Sequence, residues 1–138
     1  MGAKEKENEM DALKIAFCDD DKTSLNAIAG AVMSILQQQE IPAQAEKYTN
    51  PLELLDCCQR MQLDLVFLDI EMPELNGIEL GQKLREVTAA TEIIYVSHRE
   101  DCVFNALQVH PFGFVRKSRF LKDIEDVMHS YLTMLDKR

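Results

Sequence analysis

The chain has 138 residues, 46% of them hydrophobic, with 24 acidic against 15 basic side chains and a formal net charge of −9. That size and apolar content suit one domain with one core. The negative balance argues against a segment that grips nucleic acid by its phosphates, and no apolar run approaches the ~20 residues of a membrane helix.

Residues 1–11 are polar and aperiodic, without the apolar stretch of a secretory signal. They are read as a disordered leader ahead of a domain at 12–138, and a cytoplasmic location is expected. From there strand-like and helix-like segments alternate. Ile15–Cys18 is a short apolar run of strand length. Leu25, Ile28, Val32 and Ile35 follow at helical spacing and form the apolar stripe of a first helix. Ala43–Tyr48 reads as a second strand. Asn50 before Pro51 is a helix start, because Asn caps free amides and Pro suits the first helical position; a helix over Pro51–Arg60 is expected. Leu65–Leu68 is the third strand. Asn76-Gly77 marks a turn feeding a third helix striped by Ile78, Leu84 and Val87. Ile93–Val96 and Phe112–Val115 are the last two strands, and Leu121, Ile124, Met128, Tyr131 and Leu135 stripe a terminal helix. Strings such as L-V-F-L and I-I-Y-V suit a parallel sheet buried on both faces. The fold class that follows is α/β: a doubly wound (βα)5, flavodoxin-like domain with a five-stranded parallel sheet flanked by helices.

In such sheets ligands gather beyond the carboxyl ends of the strands. Reading those ends gives Asp19 and Asp20, Asp69, Ser97 and Lys117. Three crowded carboxylates repel one another and must take up a proton or a cation, and hard oxygen donors favour Mg²⁺. Lys117 and the Ser97 hydroxyl then face the metal with a positive charge and a donor, enough to hold a phosphoryl group. Asp69, already ionised, serves as the nucleophile without a general base. Asp21, just before a helix, is read as its cap. The Glu71 side chain is read as solvated, and His98, His110 and His129 as loop or packing residues. Cys18, Cys57, Cys58 and Cys102 lack zinc-site spacing and are read as reduced, mostly buried thiols.

The strings F-C-D-D-D at Phe17–Asp21, L-D-I-E-M-P-E-L-N-G at Leu68–Gly77, Y-V-S at Tyr95–Ser97 and F-V-R-K at Phe114–Lys117 resemble, in order and spacing, the CheY-like receiver domains of response regulators. The resemblance spans roughly Lys14–Leu135. D-I-E-M-P and H-P-F-G-F look most like receivers attached to LytTR-type DNA-binding domains. It implies a two-component signalling domain, not an enzyme. Asp69 would take a phosphoryl group from the phosphohistidine of a sensor histidine kinase. The Asp19, Asp20 and Asp69 carboxylates and the Glu71 backbone carbonyl would hold Mg²⁺. Ser97 would move to meet the phosphoryl group, Phe114 would turn inward behind it, and Lys117 would bind a phosphoryl oxygen. Output would be a shift between two conformations, read around the fourth helix, fifth strand and fifth helix, with homodimerisation on phosphorylation and transcription regulated through a LytTR-type domain outside these residues. This domain itself would bind neither nucleic acid nor membrane.

Three positions depart from the family pattern: Ser118 replaces the proline after the lysine, His98 replaces a small residue after Ser97, and Phe114 lacks a hydroxyl. They keep open a second reading, a degenerate receiver that acts as a non-phosphorylated interaction or dimerisation module. A third reading takes D-D-D-K-T at Asp19–Thr23 as the D-x-D-x-T string of haloacid-dehalogenase-like phosphotransferases, with Asp19 as nucleophile and Asp21 as acid/base. No acidic pair stands directly after Val96, where Ser97 and His98 follow, to complete such a site.

Overall fold

A computed structural model describes residues 12–73, 75–99 and 103–137, with only the backbone described at Val103 and Phe104. The proposed leader at 1–11 and Cys102 lie outside the described residues. The elements run β1 (Leu13–Cys18), α1 (Lys22–Gln38), β2 (Ala43–Tyr48), α2 (Pro51–Arg60), β3 (Leu65–Asp69), α3 (Gly77–Val87), β4 (Glu92–Ser97), α4 (Val103–Leu107), β5 (Gly113–Arg116), a 3₁₀ turn (Lys117–Arg119) and α5 (Phe120–Asp136). The strands form one sheet in the order β2-β1-β3-β4-β5. Every pairing is parallel.

The period of two along each strand divides the core. Ile15, Phe17, Leu65, Phe67, Ile94 and Val96 point to the face covered by α1 and α5, where Phe17 and Phe67 stack with centroids 5.2 Å apart. Ala16, Cys18, Val66, Leu68, Ile93 and Tyr95 point to the face covered by α2, α3 and α4. Each large apolar side chain so buried contributes about 1.5–3 kcal/mol of transfer free energy. Beta2, at the sheet edge, is largely exposed.

Capping follows the local sequence. Asn50 accepts from the Leu52 amide with Pro51 in the first turn of α2, and Asp21 accepts from the Thr23 amide to cap α1. Asn76 caps α3, so Gly77 is already its first helical residue and not part of the turn before it. Three stripe residues depart from expectation. The buried line of α1 is Leu25, Ile28, Ala29, Val32 and Leu36, and Ile35 sits beside it at the α1/α5 groove. Val87, the last residue of α3, is 40% exposed, and Leu121 is 65% exposed in the same groove as Ile35; Leu80 and Leu84 are the buried leucines of α3.

Winding reverses between β1 and the central strand β3. The loops after these two strands therefore open at the switch point where doubly wound sheets collect ligands.

Candidate functional site

Asp19 follows β1 and Asp69 ends β3; they are 4% and 2% exposed, whereas Asp20 faces solvent. One carboxylate oxygen from each of the three lies within 4.8 Å of the others. The Lys117 ammonium reaches in from the end of β5, 3.1 Å from Asp19 and 3.2 Å from Asp69. Every described peptide bond is trans, so Lys117 makes both contacts without the proline that usually follows it.

Lys117 owes its place to the residue before it. Arg116 donates to Asp123 of α5 through its backbone amide at 2.9 Å and through Nε and Nη2 at 2.8 Å each. This forked, charge-assisted pairing fixes the end of β5 against α5 and holds the Asp123 carboxyl below the usual carboxylate range, its hydrogen bond to the Arg116 side chain being the main cause. Neither residue stood out in the sequence, since an Arg and an Asp seven positions apart make no motif.

Charge at the site is unbalanced. Burial, the neighbouring Glu71 carboxyl and the Asp19 charge raise the Asp69 pKa to about 8, although Lys117 works to lower it. One ammonium divided between two carboxylates does not neutralise both. For Lys117 itself, burial is outweighed by the Asp69 and Asp19 carboxylates, and its pKa is raised. The Cys18 thiol beneath them is pushed up to about 12, by burial first and then by the three aspartates, and is inert; its Sγ lies 3.8 Å from Met72 Sδ. The all-oxygen donor set with excess negative charge fits a hard divalent cation such as Mg²⁺.

Ser97 ends β4, 8% exposed, but its hydroxyl does not face an open cavity: it donates to Glu71 Oε1 and exchanges hydrogen bonds with the Arg99 backbone. The expectation of a solvated Glu71 side chain is thus corrected. The carboxylate turns into the site because the Glu71 amide is tied to Asp69 Oδ1 at 3.2 Å and Ser97 offers the nearest donor. Burial works to raise the Glu71 pKa, but the hydrogen bond from Ser97 and the nearby Asp69 carboxyl leave it lowered. Phe114 stands apart from the acidic cluster, half-buried on β5 and stacked on Tyr95 with centroids 6.1 Å apart. His98 borders a cavity of about 170 Å³ with Thr23, Ser24, Ala27, Ile28, Lys117 and Phe120. Asp21 is spent on the α1 cap and on the Ser24 hydroxyl, which removes the acid/base that the phosphotransferase reading needs.

Residues 15–129 match the response regulator receiver domain family. The chain belongs to that family. Receivers of this kind are regulatory domains of two-component systems, which signal by phosphorylation. A response regulatory protein of Yersinia pestis is 36% identical over 69 residues, 50% of this chain and 29% of that protein. The transcriptional regulatory protein LytR of Staphylococcus aureus is 26% identical over 117 residues, 85% of this chain and 46% of that protein. The chain therefore spans less than half the length of these relatives. The receiver domain of AraT from Geobacillus stearothermophilus superposes with a TM-score of 0.79 at 17% identity, over 91% of this chain and 97% of that one, and shares the CheY-like fold. No described helix is long and apolar enough to cross a membrane.

Proposed function

We propose that residues 12–138 form the phosphoryl-accepting receiver of a response regulator and that Asp69 takes the group from the phosphohistidine of a sensor histidine kinase. The observation that carries this reading is the Lys117 ammonium set between Asp19 and Asp69, within reach of both, in a cluster of three carboxylates. The Asp19, Asp20 and Asp69 carboxylates and the Glu71 backbone carbonyl would hold Mg²⁺. When bound, the ion neutralises phosphoryl oxygens and favours the ionised form of Asp69.

A carboxylate oxygen of Asp69 forms the new bond to phosphorus while the bond from phosphorus to the donor imidazole breaks, its electron pair returning to the imidazole nitrogen. Lys117 stabilises the charge spread over the phosphoryl oxygens. Ser97 then donates to one of those oxygens, and Phe114, freed from its partly exposed position on Tyr95, turns inward. The altered surface of α4, β5 and α5 passes the signal on, through homodimerisation and a LytTR-type DNA-binding domain outside these residues. Similarity to LytR, a transcriptional regulatory protein, supports that output.

Treatment with phosphoramidate and Mg²⁺ tests the reading by intact mass and peptide mapping. One phosphoryl adduct on Asp69, absent from Asp69→Asn, is expected. An adduct on Asp19 would overturn it, and no adduct at saturating reagent would favour the passive interaction module.

A further inference from the structure

Glu71 and a phosphoryl group on Asp69 would need the same hydroxyl. Ser97 has one proton to give, and two acceptors stand within its reach, Glu71 Oε1 at 2.5 Å and the Arg99 carbonyl at 2.9 Å. Its lone pairs are engaged as well, by the Arg99 amide at 2.8 Å. Hydrogen bonds to a carboxylate are stronger than those to a neutral carbonyl, so Glu71 is the partner that holds Ser97. We infer that the Glu71 side chain is a latch on Ser97, occupying the hydroxyl until a phosphoryl group on Asp69 displaces it. This rests on the proposal that Asp69 is the phosphorylated residue.

Two features make the displacement favourable. Glu71 sits two residues beyond Asp69, and its amide is bound to Asp69 Oδ1 at 3.2 Å, which keeps its side chain beside the phosphoryl site. A dianionic phosphoryl group on Asp69 therefore repels the carboxylate from the space it occupies. Moreover, Glu71 Oε2 is buried without any hydrogen-bond partner. Such an oxygen bears a desolvation cost that is relieved when it reaches water. Glu71 lies in the loop between β3 and α3 and is only partly buried, so a rotation of its side chain takes it outward without unfolding a regular element. Glu71 is thus a positioning residue: it sets when Ser97 is available, without bonding to the transferred group.

The test is beryllofluoride binding in Mg²⁺, followed by amide NMR shifts near Ser97 and Phe114, for wild type, Glu71→Ala, Glu71→Gln, Ser97→Ala and the Glu71→Ala/Ser97→Ala double variant. Removing the latch is expected to tighten apparent beryllofluoride affinity about 10-fold in Glu71→Ala, the scale of one charge-assisted hydrogen bond. Glu71→Gln, which keeps a neutral acceptor, is expected to fall between. In the Ser97→Ala background the Glu71 substitution is expected to change affinity by less than about 2-fold, since the contested hydroxyl is gone. An equal gain with and without Ser97 would mean that Glu71 acts only as a repelling charge and would overturn the latch. Unchanged affinity in Glu71→Ala would also overturn it. No response of the wild type would overturn the phosphorylation reading itself, and the latch with it.

Discussion

On one face of the sheet α1 and α5 run 17 residues each and close over Ile15, Phe17, Leu65, Phe67, Ile94 and Val96. On the other, α2, α3 and α4 run ten, eleven and five residues. That side, with the loop leading into α3, carries the Tyr95 hydroxyl and Glu71 Oε2, both buried without a partner. An unsatisfied buried polar atom costs about 1–3 kcal/mol, so this side is less committed to one arrangement than its opposite. Ser97, Phe114 and Tyr95 lie where rearrangement is least expensive, while the α1/α5 face supplies a fixed frame.

Glycines give the largest test of that contrast. A Cβ on Gly77 would collide with the Asp69 carbonyl oxygen and come within 2.8 Å of Ile70 Cα, whereas one on Gly30 in α1 would meet nothing within 4 Å. Urea denaturation should show Gly77→Ala losing about 3 kcal/mol, because backbone cannot yield as a side-chain end does. Gly30→Ala should gain about 1 kcal/mol from helix propensity. Equal effects would erase the distinction between the faces.

Next comes pH. The Asp69 pKa is raised from 3.8 to about 8 in the folded chain, so the native state holds a proton that the unfolded state releases. The stabilisation is present in full below the unfolded value and is lost as pH rises through about 8. Between pH 6 and pH 8, in EDTA, stability should fall by roughly 2 kcal/mol. Asp69→Asn should flatten this slope; a slope that persists in Asp69→Asn would assign it to other groups.

The smallest effect is expected at Tyr95. Removing its orphaned hydroxyl in Tyr95→Phe leaves the ring stacked on Phe114 and should raise stability by about 0.5 kcal/mol, read from the urea midpoint. A loss above 1 kcal/mol would reveal a partner for that hydroxyl and weaken the contrast.

Most of this architecture was legible because strands and helices impose periods on the sequence. Beta2 and α2 have the bounds expected, since Ala43–Tyr48 is a short run and Asn50-Pro51 states where a helix begins. The first, third and fourth strands extend one or two residues further, where ladder pairing continues past the apolar run, whereas β5 is shifted by one residue, losing Phe112 and gaining Arg116, which pairs with Ser97. Stripe errors at Ile35, Val87 and Leu121 share a cause: helical spacing identifies an apolar side but not which of its residues the neighbouring elements cover. The convergence of Asp19, Asp20, Asp69 and Lys117 was legible because each follows a strand, and parallel strands end on one edge. The Glu71 side chain was not, because a loop residue's direction depends on its own backbone contacts, here the amide bond to Asp69. Arg85 was equally silent, although it ties the end of α3 to the carbonyls of Thr91, Val109 and His110.

The fork between Arg116 and Asp123 couples chemistry to mechanics. Lys117 and the first turn of α5 are joined through it, and α5 is a rod about 25 Å long at 1.5 Å per residue. A few degrees of tilt at the lysine end sweep the far tip through about 1–2 Å. Small adjustments around one ammonium group are thereby magnified at the opposite pole of the molecule.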